Sequence, residues 1–316
     1  MNSNSRKRLL RWGGLALIAG FLFLNAIAFQ QSRELIRFAA ADKAPRRHGW
    51  KAALLGVELP RPVNKTDPSA IGLPFTTRTF QGAKGEKIEA WVLPTDTAPL
   101  GTVITFHGHA GSKESLMSVS ATLHRWGWKV WMVDFYGSGG SSGQETSIGW
   151  FEADDVRAAF EEVQKDSSGQ RVVLYGSSMG AAAVMRSVAV HELSPHGVIL
   201  ECPFDRLRTT VASRFKREGA PTFPMLDLIL FWGGVQSGFN PYEHNPVNYA
   251  KRIRCPSLLM QGDRDLTISV EESLSIAGAL GKECHLRMFT SLGHEPLQAG
   301  NPKLWEEEVF EFLSHL

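Results

Sequence analysis

A serine at position 178 lies between two glycines in the run Gly176–Gly180, directly after the short apolar segment Arg171–Tyr175. That segment has the β-branched composition of a buried parallel strand, and the alanine-rich run that follows favours a helix. A sharp strand-to-helix turn exposes the serine hydroxyl, and only glycine fits beside the crowded backbone of the turn. The helix also directs N–H groups at negative charge that develops beside the serine. The pattern predicts Ser178 as a nucleophile.

The same pentapeptide pattern occurs a second time, at Gly139–Gly143. It follows the strand-like run Lys129–Asp134, but no helical pattern begins at its serine, and the next one starts near Ile148. We therefore expect a flexible loop after a strand there, because structural context separates a true motif from a chance match.

A nucleophilic serine needs a base to accept its proton and an acid to orient that base. His294 follows the last strand-like run, within a glycine-containing loop that ends at Pro296. Asp265 follows the preceding strand in the run 262–265. Ser178, Asp265 and His294 thus predict a triad, with Asp263 as the alternative acid or as a brace for its loop.

The negative oxygen that forms during acyl transfer needs hydrogen-bond donors from two places. The N–H of Met179, directly after the nucleophile, is one candidate. The loop after an earlier strand, residues 106–111, supplies the other, with His109 favoured and Ala110 as the alternative. We expect His107 to brace this loop through hydrogen bonds.

Strand-like and helix-like runs alternate through most of the chain, which predicts an α/β fold with a mostly parallel sheet and helices on both faces. The strand-like runs are Ile88–Leu93, Val103–His107, Lys129–Asp134, Arg171–Tyr175, Val198–Glu201, Ser257–Gln261 and Leu286–Phe289. The helix-like runs are Lys113–Trp126, Ile148–Lys165, Met179–His191, Val270–Leu280 and Pro302–Leu313. In such a sheet the carboxyl ends of the strands hold the functional residues.

The pattern divides the chain into an N-terminal segment at 1–30, a connecting region at 31–74 and a main domain at 75–316. The connecting region holds several prolines, including Pro45, and a possible short helix at Gln31–Ala40. Residues 204–254 are too long for one crossover helix, and we interpret them as a cap over the site. Their apolar run Met225–Trp232 could line an acyl-chain pocket or pack on the cap's own core.

The N-terminal segment carries four basic residues before Trp12–Phe29, eighteen residues without a charge. About 20 apolar residues span a bilayer, and the basic flank favours the cytoplasmic side, which places the main domain on the other side. A cleaved signal peptide with its site at Ala26–Ala28 is the alternative, since small residues at these positions suit a signal peptidase. A buried core helix is the third interpretation.

Composition narrows the function classes. The chain has 316 residues, of which 43% are hydrophobic and 21% charged, enough for one large domain with an appendage. Lys and Arg (34) nearly balance Asp and Glu (32), so no nucleic-acid partner is indicated. The sequence shows neither a metal-spaced Cys/His cluster nor a cofactor motif, and its three cysteines do not suggest a disulfide scaffold.

Residues 75–316 resemble the α/β-hydrolase superfamily, especially the membrane-anchored serine hydrolases grouped with serine aminopeptidase-like domains. The matching motifs are His107–Gly111, Asp134–Gly139 with Ser141, Gly176–Gly180, Gly262–Asp265 and Gly293-His294. The resemblance implies an acyl-enzyme on Ser178 with Asp265 as the orienting acid. The chain departs from the pattern at Tyr136, where many relatives carry arginine, which leaves the local salt-bridge arrangement open.

These residues favour a hydrolase of carboxylic esters or thioesters, with lipid-like acyl substrates suggested by the apolar cap and the N-terminal segment. A serine aminopeptidase-type peptidase is the alternative within the same mechanism. A non-catalytic binding or scaffold protein on the same fold is the alternative from another class. Basic residues of the cap could attract anionic head groups or form a solvated helix face.

Overall fold

The computed structural model describes residues 3–40, 59–166, 169–217 and 219–316. An eight-stranded sheet forms its centre, and seven of the strands match the predicted runs closely. The strands are β1 (Thr76–Gln81), β2 (Lys87–Leu93), β3 (Thr102–Phe106), β4 (Lys129–Asp134), β5 (Val172–Ser177), β6 (Gly197–Glu201), β7 (Ser257–Gly262) and β8 (Cys284–Phe289). Pro45 and the rest of 41–58 in the predicted connecting region lie outside the described residues.

The strand order is β1-β2-β4-β3-β5-β6-β7-β8. The pairs from β4 onward are all parallel, whereas β1 and β2 form an antiparallel edge. The sheet is therefore mostly parallel, as predicted. Its strands β5, β7 and β8 end at the same edge, which is where the nucleophile, acid and base loops begin.

Helices cover both faces of this sheet. The helices of the described residues are α1 (Ser3–Ile36), α2 (Met117–Arg125), α3 (Glu152–Asp166), α4 (Met179–Val190), α5 (Leu207–Arg217), α6 (Met225–Ser237), α7 (Pro246–Ala250), α8 (Val270–Leu280), α9 (Leu297–Gly300) and α10 (Pro302–Ser314). Adjacent residues of β3 belong to the core layers on opposite faces of the sheet. Ile104 packs with Val156 of α3 and Val184 of α4. Val103 packs with Val119 of α2 and Val309 of α10 on the other face. The sheet is thus buried on both sides, which explains its continuous apolar strands.

The N-terminal helix α1 does not end at residue 30 but continues to Ile36, across the predicted boundary and through most of the predicted short helix. Within it, Leu10–Ile36 is long and apolar enough to cross a membrane, and its most apolar window of 18 residues has a mean hydropathy of 1.9. Large apolar side chains are exposed on its first part, whereas Ile27 and Ala28 are buried. The helix therefore has an exposed apolar half and a half that packs against the rest of the protein.

Two longer helices, α5 and α6, lie in the insertion between β6 and β7, followed by the short helix α7. The apolar run Met225–Trp232 belongs to α6, and its Leu226, Ile229 and Leu230 are buried together with Ala28 of α1. The run is thus a surface for packing between the insertion and the N-terminal helix.

Candidate active site

The turn between β5 and α4 has the strained geometry that the glycine pattern predicts. Ser178 has a φ of +52°, a conformation that costs energy for a residue with a side chain. A Cβ on Gly176 would lie 2.6 Å from the backbone of Ala181, and one on Gly180 would lie 2.3 Å from the carbonyl oxygen of Phe106. Both positions therefore exclude any larger residue, and the turn presents the Ser178 hydroxyl beyond the strand end.

Three side chains from three separate loops form one chain of hydrogen bonds. The Ser178 Oγ lies 3.0 Å from the His294 Nε2, and the His294 Nδ1 lies 2.6 Å from the Asp265 Oδ2. Because the Asp265 carboxylate accepts, the Nδ1 of His294 carries the proton and its Nε2 is left to accept from Ser178. The arrangement positions the imidazole to take the hydroxyl proton.

The Asp265 carboxylate is held by four donors. Its Oδ1 accepts from the N–H groups of Thr267 at 2.7 Å and Ile268 at 2.9 Å. Its Oδ2 accepts from the Gln261 side chain at 3.0 Å in addition to His294. Burial by itself would raise the pKa of Asp265, but the hydrogen bonds and the charge of His294 outweigh burial and hold the pKa below its usual value.

Asp263 has a different place. Its side chain is exposed and its Oδ1 accepts from the Ser291 N–H at 2.6 Å. It thereby ties the loop after β7 to the loop that carries His294. The carboxylate that reaches the imidazole is that of Asp265, and Asp263 braces the loop from outside.

Met179 and His109 both line the same cavity as Ser178. Within the described residues, the main-chain N–H of neither one donates a hydrogen bond to a protein acceptor. The Gly108 backbone packs closely here, since a Cβ on Gly108 would lie 3.5 Å from the Ser178 Cβ. Two main-chain donors thus remain available next to the hydroxyl.

Of the two histidines in the loop after β3, His107 is buried and His109 is half-buried. His107 donates from Nδ1 to the Gly108 carbonyl at 2.8 Å and accepts at Nε2 from the Phe135 N–H at 3.2 Å, so it braces the loop. The His109 imidazole turns away from Ser178 and donates from Nε2 to the Leu35 carbonyl at 3.1 Å. Burial lowers the pKa of His109, which keeps this donor neutral.

The second glycine pattern forms a loop, as predicted, but the loop is firmly bonded. The Ser141 hydroxyl donates to the Asp134 carbonyl at 2.7 Å and accepts from the Glu89 N–H at 2.9 Å. The Arg61 guanidinium donates to the carbonyls of Gly139, Ser141 and Gly143. Ser141 is therefore a structural residue, because its hydroxyl both donates to and accepts from the main chain.

Lys113 forms the local salt bridge that the departure at Tyr136 left open. Its ammonium is fully buried, is paired with the Asp134 carboxylate and lies 2.9 Å from the Glu89 Oε1. Burial would raise the pKa of Asp134, but Lys113 lowers it below its usual value. The salt bridge at this loop is thus made by Lys113, while Tyr136 donates only its N–H, to Asp155.

A cavity of about 450 Å³ opens over Ser178 and His294. Its walls come from α1, from the loops around the triad and above all from α5, which contributes Leu207, Thr210, Val211, Arg214 and Arg217. The predicted lining by Met225–Trp232 is not found in this cavity. A larger cavity of about 710 Å³ lies elsewhere, and none of the residues around Ser178 lines it.

Two contributors to the site carry no sequence signal of their own. The Glu201 carbonyl, at the end of β6, accepts from the Ser178 N–H at 2.7 Å and so holds the strained turn. Burial raises the pKa of the Glu201 carboxyl despite its bond with the Tyr175 hydroxyl. Leu35 of α1 lines the cavity from more than 140 residues away in sequence.

Cys202 lies close to the triad, and its Sγ, an Asp265 oxygen and a His294 nitrogen are within 4.8 Å of one another. Both His294 nitrogens are already hydrogen-bonded within the triad, and burial raises the pKa of the Cys202 thiol well above its usual value. A neutral thiol is a poor metal ligand. We therefore interpret Cys202 as a neighbour of the His294 imidazole rather than as a metal ligand.

Comparisons with known proteins agree with the fold. Residues 97–231 match the family model described as serine aminopeptidase, S33. The protein YqkD of Bacillus subtilis is 25% identical over 245 residues, 76% of this chain and 80% of that one. Lysophosphatidylserine lipase ABHD12 of Xenopus tropicalis is 25% identical over 194 residues, 60% of this chain and 49% of that one.

Solved structures show the same architecture. The Pyrococcus furiosus esterase Pf2001 superposes with a TM-score of 0.68 at 24% identity, covering 81% of this chain and 96% of that one. An esterase from Exiguobacterium antarcticum superposes with a TM-score of 0.57 at 17% identity, covering 75% and 98%. The sheet order, the strand-to-helix turn at Ser178 and these superpositions show that the chain has the α/β-hydrolase fold, and its residues 97–231 are similar to the S33 serine aminopeptidase family.

Proposed function

We propose that the protein is a serine hydrolase that cleaves carboxylic esters or thioesters through an acyl-enzyme on Ser178. The observation that carries this proposal is the hydrogen-bonded series from the Ser178 hydroxyl through His294 to Asp265, with separations of 3.0 and 2.6 Å. Ordinary serine side chains lack a base at such a distance. A nucleophile, an oriented base and an acid together are the parts that acyl transfer requires.

In the first half of the reaction, the Ser178 oxygen attacks the carbonyl carbon while the His294 Nε2 takes its proton. The negative oxygen that results is held by the main-chain N–H groups of Met179 and His109. The bond from carbon to the leaving oxygen or sulfur then breaks, and His294 gives the proton to the leaving group. In the second half, water repeats these steps, and the acid is released with Ser178 restored.

A lysophospholipid is the more specific candidate within this class. The relative from Xenopus tropicalis is named a lysophosphatidylserine lipase, and two observations favour a related substrate here. Arg214 and Arg217 line the cavity that contains Ser178, so their positive charges face the place where a head group would lie. The remaining cavity wall on α5 is largely apolar, which suits an acyl chain.

We further propose that α1 is a retained membrane anchor, with the catalytic domain on the non-cytoplasmic side. Export followed by cleavage at Ala26–Ala28 is the alternative. Ala28 is fully buried against α5 and α6, so cutting after it would break a packed helix. Retention predicts that protein from the membrane fraction has the mass of the uncut chain. A mass lacking residues 1–28 would favour the exported form.

The activity is tested with three substrates on the full chain in detergent: p-nitrophenyl butyrate, butyrylthiocholine and alanine p-nitroanilide. Hydrolysis of either of the first two by the wild type, and a loss in Ser178→Ala, would support the proposal. Cleavage of the anilide alone would indicate the peptidase instead. Failure to hydrolyse any of the three, and p-nitrophenyl laurate as well, would favour a binding or scaffold role.

A further inference from the structure

A narrow apolar cleft of about 30 Å³ lies between α1 and α6, next to the cavity that contains Ser178. Four residues line both spaces, namely Leu35, Ile148, Leu207 and Val211. Ile229, Leu230 and Gly233 of α6 close the cleft on one side, and Ser32 and Ile36 of α1 close it on the other. The apolar part of the cavity thus leads from Ser178 to the contact between the N-terminal helix and the cap.

The N-terminal helix is fixed at this contact by polar bonds as well as by packing. The Trp232 Nε1 donates to the Asn25 side chain at 3.1 Å, and the Gln236 side chain donates to the Ser32 hydroxyl at 2.7 Å. Beyond the helix end, the Arg37 guanidinium donates to the Glu145 carboxylate at 2.7 Å. Leu35 therefore lines the cavity as part of a held wall.

We propose that the N-terminal helix forms the far wall of an acyl-chain site, with Leu35 setting the longest chain that fits. This proposal rests on the proposed hydrolase activity. A chain attached at Ser178 would run along Leu207 and Val211 of α5 and end at Leu35, where the free space narrows to the small cleft. The substrate is then an ester of a linear, medium-length or longer acyl chain, and the apolar helix contributes to chain selection as well as to anchoring.

The proposal predicts opposite effects for two changes at one position. Leu35→Trp fills the junction between the two spaces, and Leu35→Ala widens it; both keep the carbonyl that accepts from His109. The measured quantity is the ratio of kcat/KM for p-nitrophenyl laurate to that for the butyrate, with full-length protein in one detergent. Each methylene that is lost from an apolar site costs about fourfold in kcat/KM, so we expect the ratio to fall at least about tenfold in Leu35→Trp and to rise in Leu35→Ala.

Leu22→Trp is the matched control, because Leu22 lies on the same helix, is 62% exposed and lines neither space. Val211→Phe and Val211→Ala repeat the test from the opposite wall on α5, which covers the case in which the Leu35 variants fold poorly. Ratios that stay within twofold of Leu22→Trp in both pairs, while butyrate is hydrolysed, would overturn the acyl-chain site alone. A wild type that hydrolyses neither the butyrate nor the laurate would instead refute the proposed activity.

Discussion

The carbonyl of Leu35, in the last turn of the N-terminal helix, accepts a hydrogen bond from the His109 Nε2 at 3.1 Å. His109 is also one of the two residues whose main-chain N–H we assign to the negative oxygen of the reaction. One contact thus joins the helix that carries the apolar segment to the loop that we propose as a donor to this oxygen. We therefore expect the position of that loop to depend on the docking of α1.

Loss of the hydrogen bond from His109 to the Leu35 carbonyl should reduce kcat. His109→Leu removes the donor and leaves the Leu35 carbonyl without its partner, which costs about 1–3 kcal/mol of stability and should lower kcat on the butyrate by about tenfold. His109→Gln keeps an amide donor and should recover most of kcat. A role in folding alone would lower the Tm of both variants but leave kcat of the folded fraction unchanged.

Substitutions of Asp263 and Asp265, the two aspartates of the loop after β7, should differ clearly in their effect on kcat. Asp265→Asn removes the carboxylate that orients the His294 Nδ1–H, and kcat should fall by about 10⁴-fold, as when the orienting acid of such a triad is replaced. Asp263→Asn keeps an acceptor for the Ser291 N–H and should lower kcat by less than about tenfold. Steady-state kinetics on the same ester decide this. A larger loss in Asp263→Asn would reassign the acid.

Lys113 should be among the most sensitive positions outside the triad. Lys113→Met leaves Asp134 buried without its cation, which typically destabilises a protein by about 3–5 kcal/mol. Lys303→Met is the control, because that side chain is 88% exposed and its nearest carboxylate lies 3.8 Å away. Urea unfolding of both variants measures the difference. Equal midpoints would show that the buried ion pair contributes little.

Glu272 should make stability fall as pH rises. Burial first, and then its closeness to Asp205, raises the pKa of Glu272 from 4.5 to about 7. A raised pKa in the folded state means that the stabilising proton is fully bound below about pH 4.5 and is lost as the pH rises through about 7. Ionisation over this window should cost about 3 kcal/mol of unfolding free energy.

Glu272→Gln is expected to remove this pH dependence. The amide stays neutral and can still accept from the Ser269 N–H, which the Glu272 carboxylate accepts at 2.9 Å. The variant should therefore be more stable than the wild type at pH 8 and similar to it at pH 4.5. Glu271→Gln, at the exposed neighbouring position, should keep the wild-type profile. Parallel profiles for wild type and Glu272→Gln would contradict this account.

Local patterns predicted most of the sheet because its strands are continuous apolar runs between glycine-containing loops. The exception is β1, Thr76–Gln81, whose side chains are nearly all exposed on an antiparallel edge. Such a strand shows neither alternation nor an apolar run. Its pairing with β2 comes from backbone hydrogen bonds, which cannot be predicted from the side chains. The prediction of a boundary at residue 30 and a separate short helix at Gln31–Ala40 also divided a helix that runs unbroken to Ile36.

The three residues of the hydrogen-bonded series, Ser178, His294 and Asp265, could be proposed from the sequence because each follows a strand within a characteristic short run. Contributions from distant segments were not visible. Leu35 contacts a loop that lies 74 residues further along the chain, and Glu201 acts through its carbonyl, which every residue has. Only the folded arrangement of α1, β6 and the insertion brings these groups to the site.

We expect Ser178 alone to form the covalent intermediate. The most direct test of this expectation is the intact mass of the full chain after reaction with an ethyl fluorophosphonate, followed by peptide mapping. We predict one adduct per chain in the wild type and in Ser141→Ala, located on the peptide that contains Ser178, and none in Ser178→Ala. An unmodified wild type, or an adduct that persists in Ser178→Ala, would contradict the account.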